Sequence, residues 1–257
     1  YTDAEGIRQA LWPIRGAAQV EAIKRALAER EVVIADGHHR YETALAYREE
    51  RRQAEGDPPG ERAYDYVLAY LTALEDPGLC ILPTHRVIAP DPRLEPTTLL
   101  RALRADFALT RYDDLSQLLM ALADGPSDGP AFACCLGAAG SWLLRLHDPG
   151  ALRLRLGEEL PAELATLDVV ALQRLILEPH LGISPHDLTQ GERVWYTVDA
   201  PQAQRAVQDG RAGAAFLLRP TTVQQVWQAA VHGVTMPQKS TYFHPKLLTG
   251  LVLNPLD

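Results

Sequence analysis

The sequence lacks long apolar runs, and it carries fewer positive than negative charges. No apolar run approaches the roughly 18 residues that a helix needs to cross a bilayer, so no membrane-spanning segment is predicted. The chain has 25 Lys and Arg residues against 33 Asp and Glu residues, a formal net charge of -8 at pH 7. Such an excess of negative charge is a poor match for nucleic-acid phosphates or an anionic membrane surface. We therefore expect no nucleic-acid partner and no membrane partner.

Cysteine is also scarce, and its spacing does not suit a metal. The three cysteines are Cys80, Cys134 and Cys135, and no C-x-x-C pair is present. This spacing predicts neither a zinc site nor a disulfide framework. Adjacent Cys134 and Cys135 would point to opposite faces of a strand, and free cysteines of this kind are usually small buried residues. A reduced cytoplasm is the compartment that we expect.

The rest of the composition is that of an ordinary globular protein. Of the 257 residues, 47% are hydrophobic and 23% are charged, enough for one large domain or two modest ones with a core. Strand-like and helix-like segments alternate, a pattern typical of α/β or α+β (mixed α/β) proteins. The first residue is Tyr1 rather than Met, and we expect a further N-terminal part of the same protein to precede it.

The densest group of titratable residues lies between a predicted strand and a predicted helix. The β-branched run Val32–Ile34 indicates a buried strand, and a helix is predicted from about His38 through Arg52. The turn between them reads Asp36-Gly37-His38-His39-Arg40 and holds a carboxylate, two imidazoles and a guanidinium. Backbone N–H groups at a helix start beside an arginine favour an anion, above all a phosphate.

The side chains of this turn leave several roles open. Asp36 either caps the helix or acts as a general base. Glu42 lies four residues after His38 on the same helix face, where it would orient that ring. His38 and His39 are about 100° apart around a helix, so they cannot both face one ligand in the same way. We expect no permanent metal, because H-E-x-x-H spacing is absent, whereas Mg²⁺ that arrives with nucleotide phosphates needs only one or two carboxylates.

A second polar group lies in the loop near the C-terminus. Its lysine and hydroxyl residues resemble the end of a phosphate-binding loop, but the glycines of G-x-x-x-x-G-K-[ST] are absent, so a Walker A motif is excluded. The loop either holds a phosphate or carboxylate or packs its aromatic residues onto the core. Its candidate ligand-binding residues are Lys239, Ser240, Thr241 and Lys246.

Two further polar residues, His85 and Arg86, follow one another in an apolar segment predicted to be a strand. Consecutive strand residues point to opposite faces, so at most one of them faces a shared site. A structural role and a ligand-binding role both stay open for His85.

Three motifs resemble known protein families. The turn Ala35-Asp36-Gly37-His38-His39-Arg40 resembles the phosphate-binding turn of the ParB/sulfiredoxin-like superfamily, especially that of archaeal free serine kinases. Together with Leu82-Pro83-Thr84-His85-Arg86 and Met236-Pro237-Gln238-Lys239-Ser240-Thr241-Tyr242-Phe243, it resembles a prokaryotic family known as domain of unknown function 1015. The resemblance implies a ParB/sulfiredoxin-like phosphate-binding domain over residues 1–126. It also implies a second, smaller α+β domain over 127–257 that contributes the basic loop.

The resemblance also implies a nucleotide, ATP or ADP, at the turn. The leading hypothesis is a nucleotide-dependent phosphotransferase or phosphohydrolase that acts on a small metabolite such as serine or phosphoserine. Asp36 would activate the hydroxyl as a base, Gly37 and Arg40 would hold the phosphates, and His38 or His39 would stabilise charge on the transferring group. The second half would close the site with Lys239, Ser240, Thr241 and Lys246, and supporting roles would fall to Glu42, His85 and Arg86.

Two other functions stay open. A non-catalytic module could sense a nucleotide or phosphometabolite with the same turn. A metal-dependent nuclease is a third hypothesis, against which the acidic net charge counts. In the first two hypotheses the partner is a small molecule that bears a phosphate.

Overall fold

The structure is a computed structural model that describes residues 1–4, 6–124, 129–148, 152–157, 160–165 and 167–256. The chain forms two compact units. The first comprises Tyr1–Cys80 together with Phe243–Asp257, and the second comprises Ile81–Tyr242.

The first unit is built on two helices and buries little of its own apolar surface. Helix α1 spans Ala17–Leu27, helix α2 spans His38–Ala54, and a short 3₁₀ helix spans Ala63–Asp65. Among the described residues of this unit, Tyr64 is the one large apolar side chain that is buried. The apolar face of α1 is exposed in this chain, with side chains from Val20, Ile23 and Leu27.

Ion pairs join the C-terminal half of α2 to the short 3₁₀ helix. Arg48 donates from Nε to Oδ1 of Asp65 at 2.9 Å, and Arg52 donates from Nη2 to Oδ2 at 2.7 Å. The Arg52 hydrogen bond is the largest influence on the Asp65 carboxyl and holds its pKa well below the usual range. The helix that carries the titratable turn is thereby fixed at its far end to the 3₁₀ helix.

The start of α2 is where the sequence predicts it, but the strand before it is absent. Residues 31–35 are assigned to neither helix nor strand. The prediction of a strand over Val32–Ile34 is therefore wrong. A β-strand is defined by its backbone hydrogen bonds to a neighbouring strand. No described segment of the chain forms such hydrogen bonds with residues 32–34.

The second unit is a six-stranded antiparallel sheet with the strand order β3-β5-β4-β7-β2-β6. Strand β1 and strand β8 lie where the chain passes from one unit to the other. The strand bounds are β1 Cys80–Leu82, β2 His85–Ile88, β3 Phe107–Tyr112, β4 Ala131–Cys135, β5 Ser141–Leu146, β6 Val194–Thr197, β7 Ala214–Leu217 and β8 Tyr242–His244.

Helices cover both faces of this sheet. The helix bounds are α3 Pro96–Leu103, α4 Leu115–Ala123, α5 Leu152–Leu156, α6 Ala162–Ala165, α7 Asp168–Leu172, α8 Glu178–Leu181, α9 Pro185–Gln190, α10 Ala200–Gln208 and α11 Val223–Val231, with a π-helical turn over Gln173–Leu177. One core contains Phe132 and Cys134 and receives α3 and α7. The other contains Ala133 and Cys135 and receives α4 and α10. Alternate residues of β4 thus enter opposite cores, as the period of a strand requires.

The architecture is α+β, as the sequence predicts, because the described residues contain both helices and an antiparallel sheet. The predicted boundary between residues 126 and 127 lies in the segment 125–128, outside the described residues. Strands from both sides of that segment join one sheet in the second unit. The division into domains at this boundary stays a prediction.

Candidate functional site

Gly37 sets the geometry of the titratable turn. It is the N-cap residue of α2, with a left-handed φ of 89°, and no side chain caps the helix there. A Cβ atom at Gly37 would lie 2.7 Å from Nη2 of Arg40, so the guanidinium lies directly against the glycine. Asp36 therefore does not cap α2, and the first N–H groups of the helix have no side-chain acceptor at the cap.

Asp36 lies between two cations. Its Oδ2 accepts a hydrogen bond from Nζ of Lys246 at 2.8 Å and lies 3.9 Å from Nη2 of Arg40. All three residues belong to the first unit. Partial burial acts to raise the pKa of the Asp36 carboxyl, but the Lys246 hydrogen bond, both cations and the Gly37 N–H outweigh it, so the pKa is lowered. The carboxylate is ionised at neutral pH.

The turn is open to solvent. The side chain of Asp36 is 53% exposed, and that of Arg40 is 81% exposed. Two cations and one carboxylate leave a net positive charge beside the N–H groups at the positive end of the α2 dipole. A helix start with this charge favours an anion.

The histidines pair differently from the prediction. Nδ1 of His39 lies 3.2 Å from Oε2 of Glu42, at a spacing of three residues. The expectation that Glu42 orients His38 is therefore wrong. A spacing of three is as close on a helix surface as a spacing of four, and here the ring one position further along reaches the carboxylate. His38 is exposed at the first position of α2.

His85 and Arg86 are buried residues of β2 in the second unit. Nδ1 of His85 accepts the backbone N–H of Leu218 at 3.2 Å, so in the neutral ring the proton resides on Nε2. Burial lowers the pKa of His85 to about 4, with help from neighbouring Arg86 and against an opposing effect of Asp199. His85 is thus a neutral, hydrogen-bonded residue of the sheet at neutral pH.

Arg86 joins two motifs that are far apart in sequence. Its Nη2 donates to the backbone carbonyl of Lys239 at 3.1 Å, and its Nη1 donates to the carbonyl of Thr84. Its guanidinium carbon lies 5.4 Å from the ring centre of Tyr196, within the range of a cation–π contact. Burial lowers the pKa of Arg86 to about 10, against a smaller opposing effect of Tyr196, so the side chain keeps its charge at neutral pH.

The basic loop forms a tight turn on this arginine. Lys239 has a left-handed φ of 59°, and the N–H of Ser240 donates to the carbonyl of Pro237 at 3.3 Å. The hydroxyl of buried Ser240 donates to the same carbonyl at 2.6 Å, and its own carbonyl accepts the Thr221 hydroxyl at 2.7 Å. The Ser240 hydroxyl is therefore occupied within the loop. Lys239 is exposed on it, and Thr241 follows, half-buried.

The structure thus groups the predicted site residues into two sets. Asp36, Gly37, Arg40 and Lys246 meet in the first unit, while Arg86 meets the Lys239 turn in the second. Sequence reasoning missed Thr221, which holds the turn. The described residues contain no group of three or more His, Cys, Asp or Glu side chains that could hold a metal. In those same parts of the chain, no helix has the length and apolar character that a membrane crossing requires.

Comparison with known proteins gives a family model and several solved structures to which the chain is similar. A family model described as "Protein of unknown function (DUF1015)" matches residues 1–170. The chain is similar to a conserved hypothetical protein from Pyrococcus furiosus, with 16% identity, a TM-score of 0.41 and coverage of 82% of this chain and 68% of that chain. It is also similar to a free serine kinase in complex with AMP, with 13% identity, a TM-score of 0.40 and coverage of 90% and 81%. No curated protein matches the chain.

Proposed function

We propose that this chain, which belongs to the DUF1015 family of proteins of unknown function, binds a phosphate-bearing nucleotide at the Asp36–Arg40 turn and transfers a phosphoryl group to a small metabolite. One observation carries the proposal. An ionised carboxylate lies between Lys246 and Arg40 at a helix start whose N–H groups lack a side-chain cap. Phosphoryl transfer depends on positioning and charge, and these groups supply both.

The residues around the turn have different roles in the proposed reaction. The hydroxyl oxygen of the metabolite forms a bond to the phosphorus of the terminal phosphate, and Asp36 accepts the proton of that hydroxyl. At the same time, the bond between this phosphorus and the oxygen of the leaving phosphate breaks. Arg40, Lys246 and the first N–H groups of α2 stabilise the charge on the transferring and leaving phosphates. The lowered pKa of Asp36 makes it a weak base in the ground state. It accepts the proton only as the hydroxyl becomes acidic in the transition state.

The histidines have separate roles in this proposal. His38, exposed at the first position of α2, stabilises charge on the transferring phosphate. The ring of the next residue, His39, is instead held by Glu42. The turn itself offers one carboxylate, Asp36. Because Asp36 serves as the base, any Mg²⁺ would be held by the phosphate oxygens of the nucleotide and by water.

A second function is favoured by one observation. The carboxylate of Asp36 already accepts a hydrogen bond from Lys246, and its pKa is lowered rather than raised. Both features suit a site that binds a nucleotide or phosphometabolite without turnover, because a general base works best with a pKa near the operating pH. A sensing module would use the same cations and helix start.

The test compares three variants of the chain in nucleotide titrations and turnover assays. ATP and ADP are titrated with Mg²⁺ by calorimetry, and transfer to serine is followed by phosphorus NMR. Serine is the first acceptor to test because the turn resembles that of free serine kinases. Arg40→Met should weaken ADP binding about tenfold or more, the loss expected for a charge-assisted hydrogen bond. Asp36→Asn should keep the affinity within a few-fold and lose turnover by a factor of about 100 or more.

Arg51→Met is the matched control. Arg51 lies on the same helix and pairs with Glu55, so its loss should leave the nucleotide affinity unchanged. An unchanged nucleotide affinity in Arg40→Met would refute the site. Binding without turnover in the native chain would establish the sensing function in place of the transferase.

A further inference from the structure

The guanidinium of Arg86 is buried without a neutralising carboxylate. Its side chain is 3% exposed, and none of the described Asp or Glu side chains forms an ion pair with it. Arg219 and Arg193 of the second unit, in contrast, have carboxylates nearby. Arg219 donates to both oxygens of Asp168 at 2.8 Å, and Arg193 lies 3.6 Å from Asp91. A buried charge without a partner is unfavourable, and an anion would relieve it.

Arg86 also has unused donors. An arginine carries five N–H donors, and the backbone carbonyls of Thr84 and Lys239 accept two of them. The remaining three have no hydrogen-bond acceptor in the part of the chain that the structure describes. Neutral carbonyls bind a guanidinium more weakly than an ionised oxygen does, so the present partners leave much of its binding capacity unmet.

Thr84 supplies a second, independent sign of a ligand. The residue is 6% exposed, and its Oγ1 has no hydrogen-bond partner in the described structure. Buried hydroxyl groups in proteins nearly always have a partner, so an orphan one requires an explanation. Thr84 lies two residues before Arg86, and its carbonyl accepts the Arg86 Nη1. The unpartnered hydroxyl and the unneutralised charge therefore belong to one place in the fold.

The Lys239 turn lies at the same place and adds an exposed cation. The Lys239 carbonyl accepts the Arg86 Nη2, while the residue itself is exposed in a left-handed conformation. Non-glycine residues in this conformation are strained, and such strain persists where the surrounding structure holds it. Thr221 and Ser240 hold this turn through backbone carbonyls.

We propose that Thr84, Arg86 and the turn Pro237–Ser240 form a second anion-binding site, which takes a small oxyanion such as a carboxylate or phosphate group. The anion accepts hydrogen bonds from the N–H groups of Arg86 that have no acceptor and from the Thr84 hydroxyl, and it lies close to the Lys239 ammonium. An ionised oxygen forms a stronger hydrogen bond with a guanidinium than a neutral carbonyl does. The site lies wholly in the second unit and does not depend on the nucleotide function proposed for Asp36–Arg40.

The test uses inorganic phosphate and acetate as separate probes, with sodium chloride at equal ionic strength as the reference. Amide NMR signals of Thr84, Lys239 and Ser240 should shift in a saturable manner with at least one probe. Response to acetate alone would assign a carboxylate, and response to phosphate alone would assign a phosphate. Thr84→Val and Arg86→Lys should each weaken that binding about tenfold or more, because each removes a hydrogen bond to an ionised oxygen.

Two control variants test whether the loss of binding is specific to Arg86 and Thr84. Arg193→Met removes a guanidinium that also donates to two backbone carbonyls, those of Leu181 and Gly182, but that has carboxylates nearby; it should leave the affinity within twofold. Arg40→Met should also leave it unchanged, while weakening ADP binding at the Asp36–Arg40 turn about tenfold or more.

Arg86→Lys could fail to fold, because Arg86 also fixes the turn. Thr84→Val removes only an unpartnered hydroxyl and should fold at least as well as the native chain. If neither probe shifts these signals, or if Thr84→Val binds the probe as the native chain does, the anion site is refuted and Arg86 is a latch for the turn.

Discussion

Nζ of Lys246 lies 2.8 Å from Oδ2 of Asp36, although 210 positions of sequence separate the two residues. The charge at the Asp36–Arg40 turn is therefore set partly by the C-terminal segment of the same unit. Three charged groups converge there, since Arg40 approaches the same oxygen to 3.9 Å. Each group is accessible to mutation without disturbing a buried core.

Lys246→Met should raise the pKa of Asp36 toward its ordinary value of 3.8, because the Lys246 hydrogen bond and charge act to lower it. A lowered carboxyl pKa contributes stability above the ordinary value that is lost as the pH falls through the lowered one. The free energy of unfolding should change by less than about 1 kcal/mol, since the pair is exposed. Carbon NMR titration of the Asp36 carboxyl checks the shift, and an unchanged titration would contradict the role given to Lys246.

Gly37→Ala should both destabilise the first unit and weaken nucleotide binding. A left-handed φ of 89° costs a side-chain-bearing residue about 1 to 2 kcal/mol, and the new Cβ would displace the Arg40 guanidinium, 2.7 Å away. Gly56→Ala is a matched control, because Gly56 has a φ of 75° with nothing within 4 Å of its Cβ position. Urea unfolding should show similar losses for both variants. Only Gly37→Ala should lose nucleotide affinity; equal affinities would show that Arg40 does not need this close approach.

The folded chain should lose stability in mild acid because of His85. Burial lowers its pKa from 6.5 to about 4, so the unfolded chain takes up a proton at a higher pH than the folded chain does. The contribution of His85 to the free energy of unfolding is fully present above pH 6.5 and is lost as the pH falls from 6.5 to about 4. At 1.36 kcal/mol per pKa unit, the loss amounts to about 3 kcal/mol.

Urea unfolding at neutral pH and at the acid end of that range measures this loss. His85→Asn is the informative variant, since its Oδ1 can accept the Leu218 N–H that Nδ1 now accepts. The variant should show a flatter dependence on pH. A native chain with equal stability at both pH values would rule out a neutral, buried His85.

One cysteine should react with a thiol reagent in the native chain, and three in denaturant. Cys80 is exposed, whereas Cys134 and Cys135 are buried. Burial raises the pKa of both buried thiols, and the thiolate is the reactive form. Timed reaction with a chromogenic disulfide counts the thiols, and mass spectrometry of the labelled peptides should identify Cys80.

Much of the turn is predictable from local sequence, because its geometry is local. Gly37 ends one segment and begins a helix at His38, and spacing alone brings Asp36 and Arg40 together. The pairing of His39 with Glu42 is less predictable, because spacings of three and four are equally close on a helix. The partner is chosen by ring orientation, which the sequence does not specify.

Contacts between residues that are far apart in the chain cannot be predicted from local sequence, for a different physical reason. Val32–Ile34 has the composition of a strand, but a strand also needs a neighbour, and composition does not supply one. Arg86 and Lys239 are recognisable as polar residues in the sequence, yet their contact spans 153 positions. The orphan hydroxyl of Thr84 is likewise a property of its surroundings and not of its residue type.

The described residues of the first unit bury few apolar side chains, and this has a consequence for hydrogen exchange. Amide protons in α1 and α2 are protected by helical hydrogen bonds with little buried apolar area behind them, so brief local openings should expose them. Those of β4 and β7 lie between two cores and should exchange only when the whole second unit unfolds. Deuterium uptake would therefore be fast in the unit that carries Asp36 and slow in the sheet, and a ligand at the Asp36–Arg40 turn would slow the exchange of α2 first.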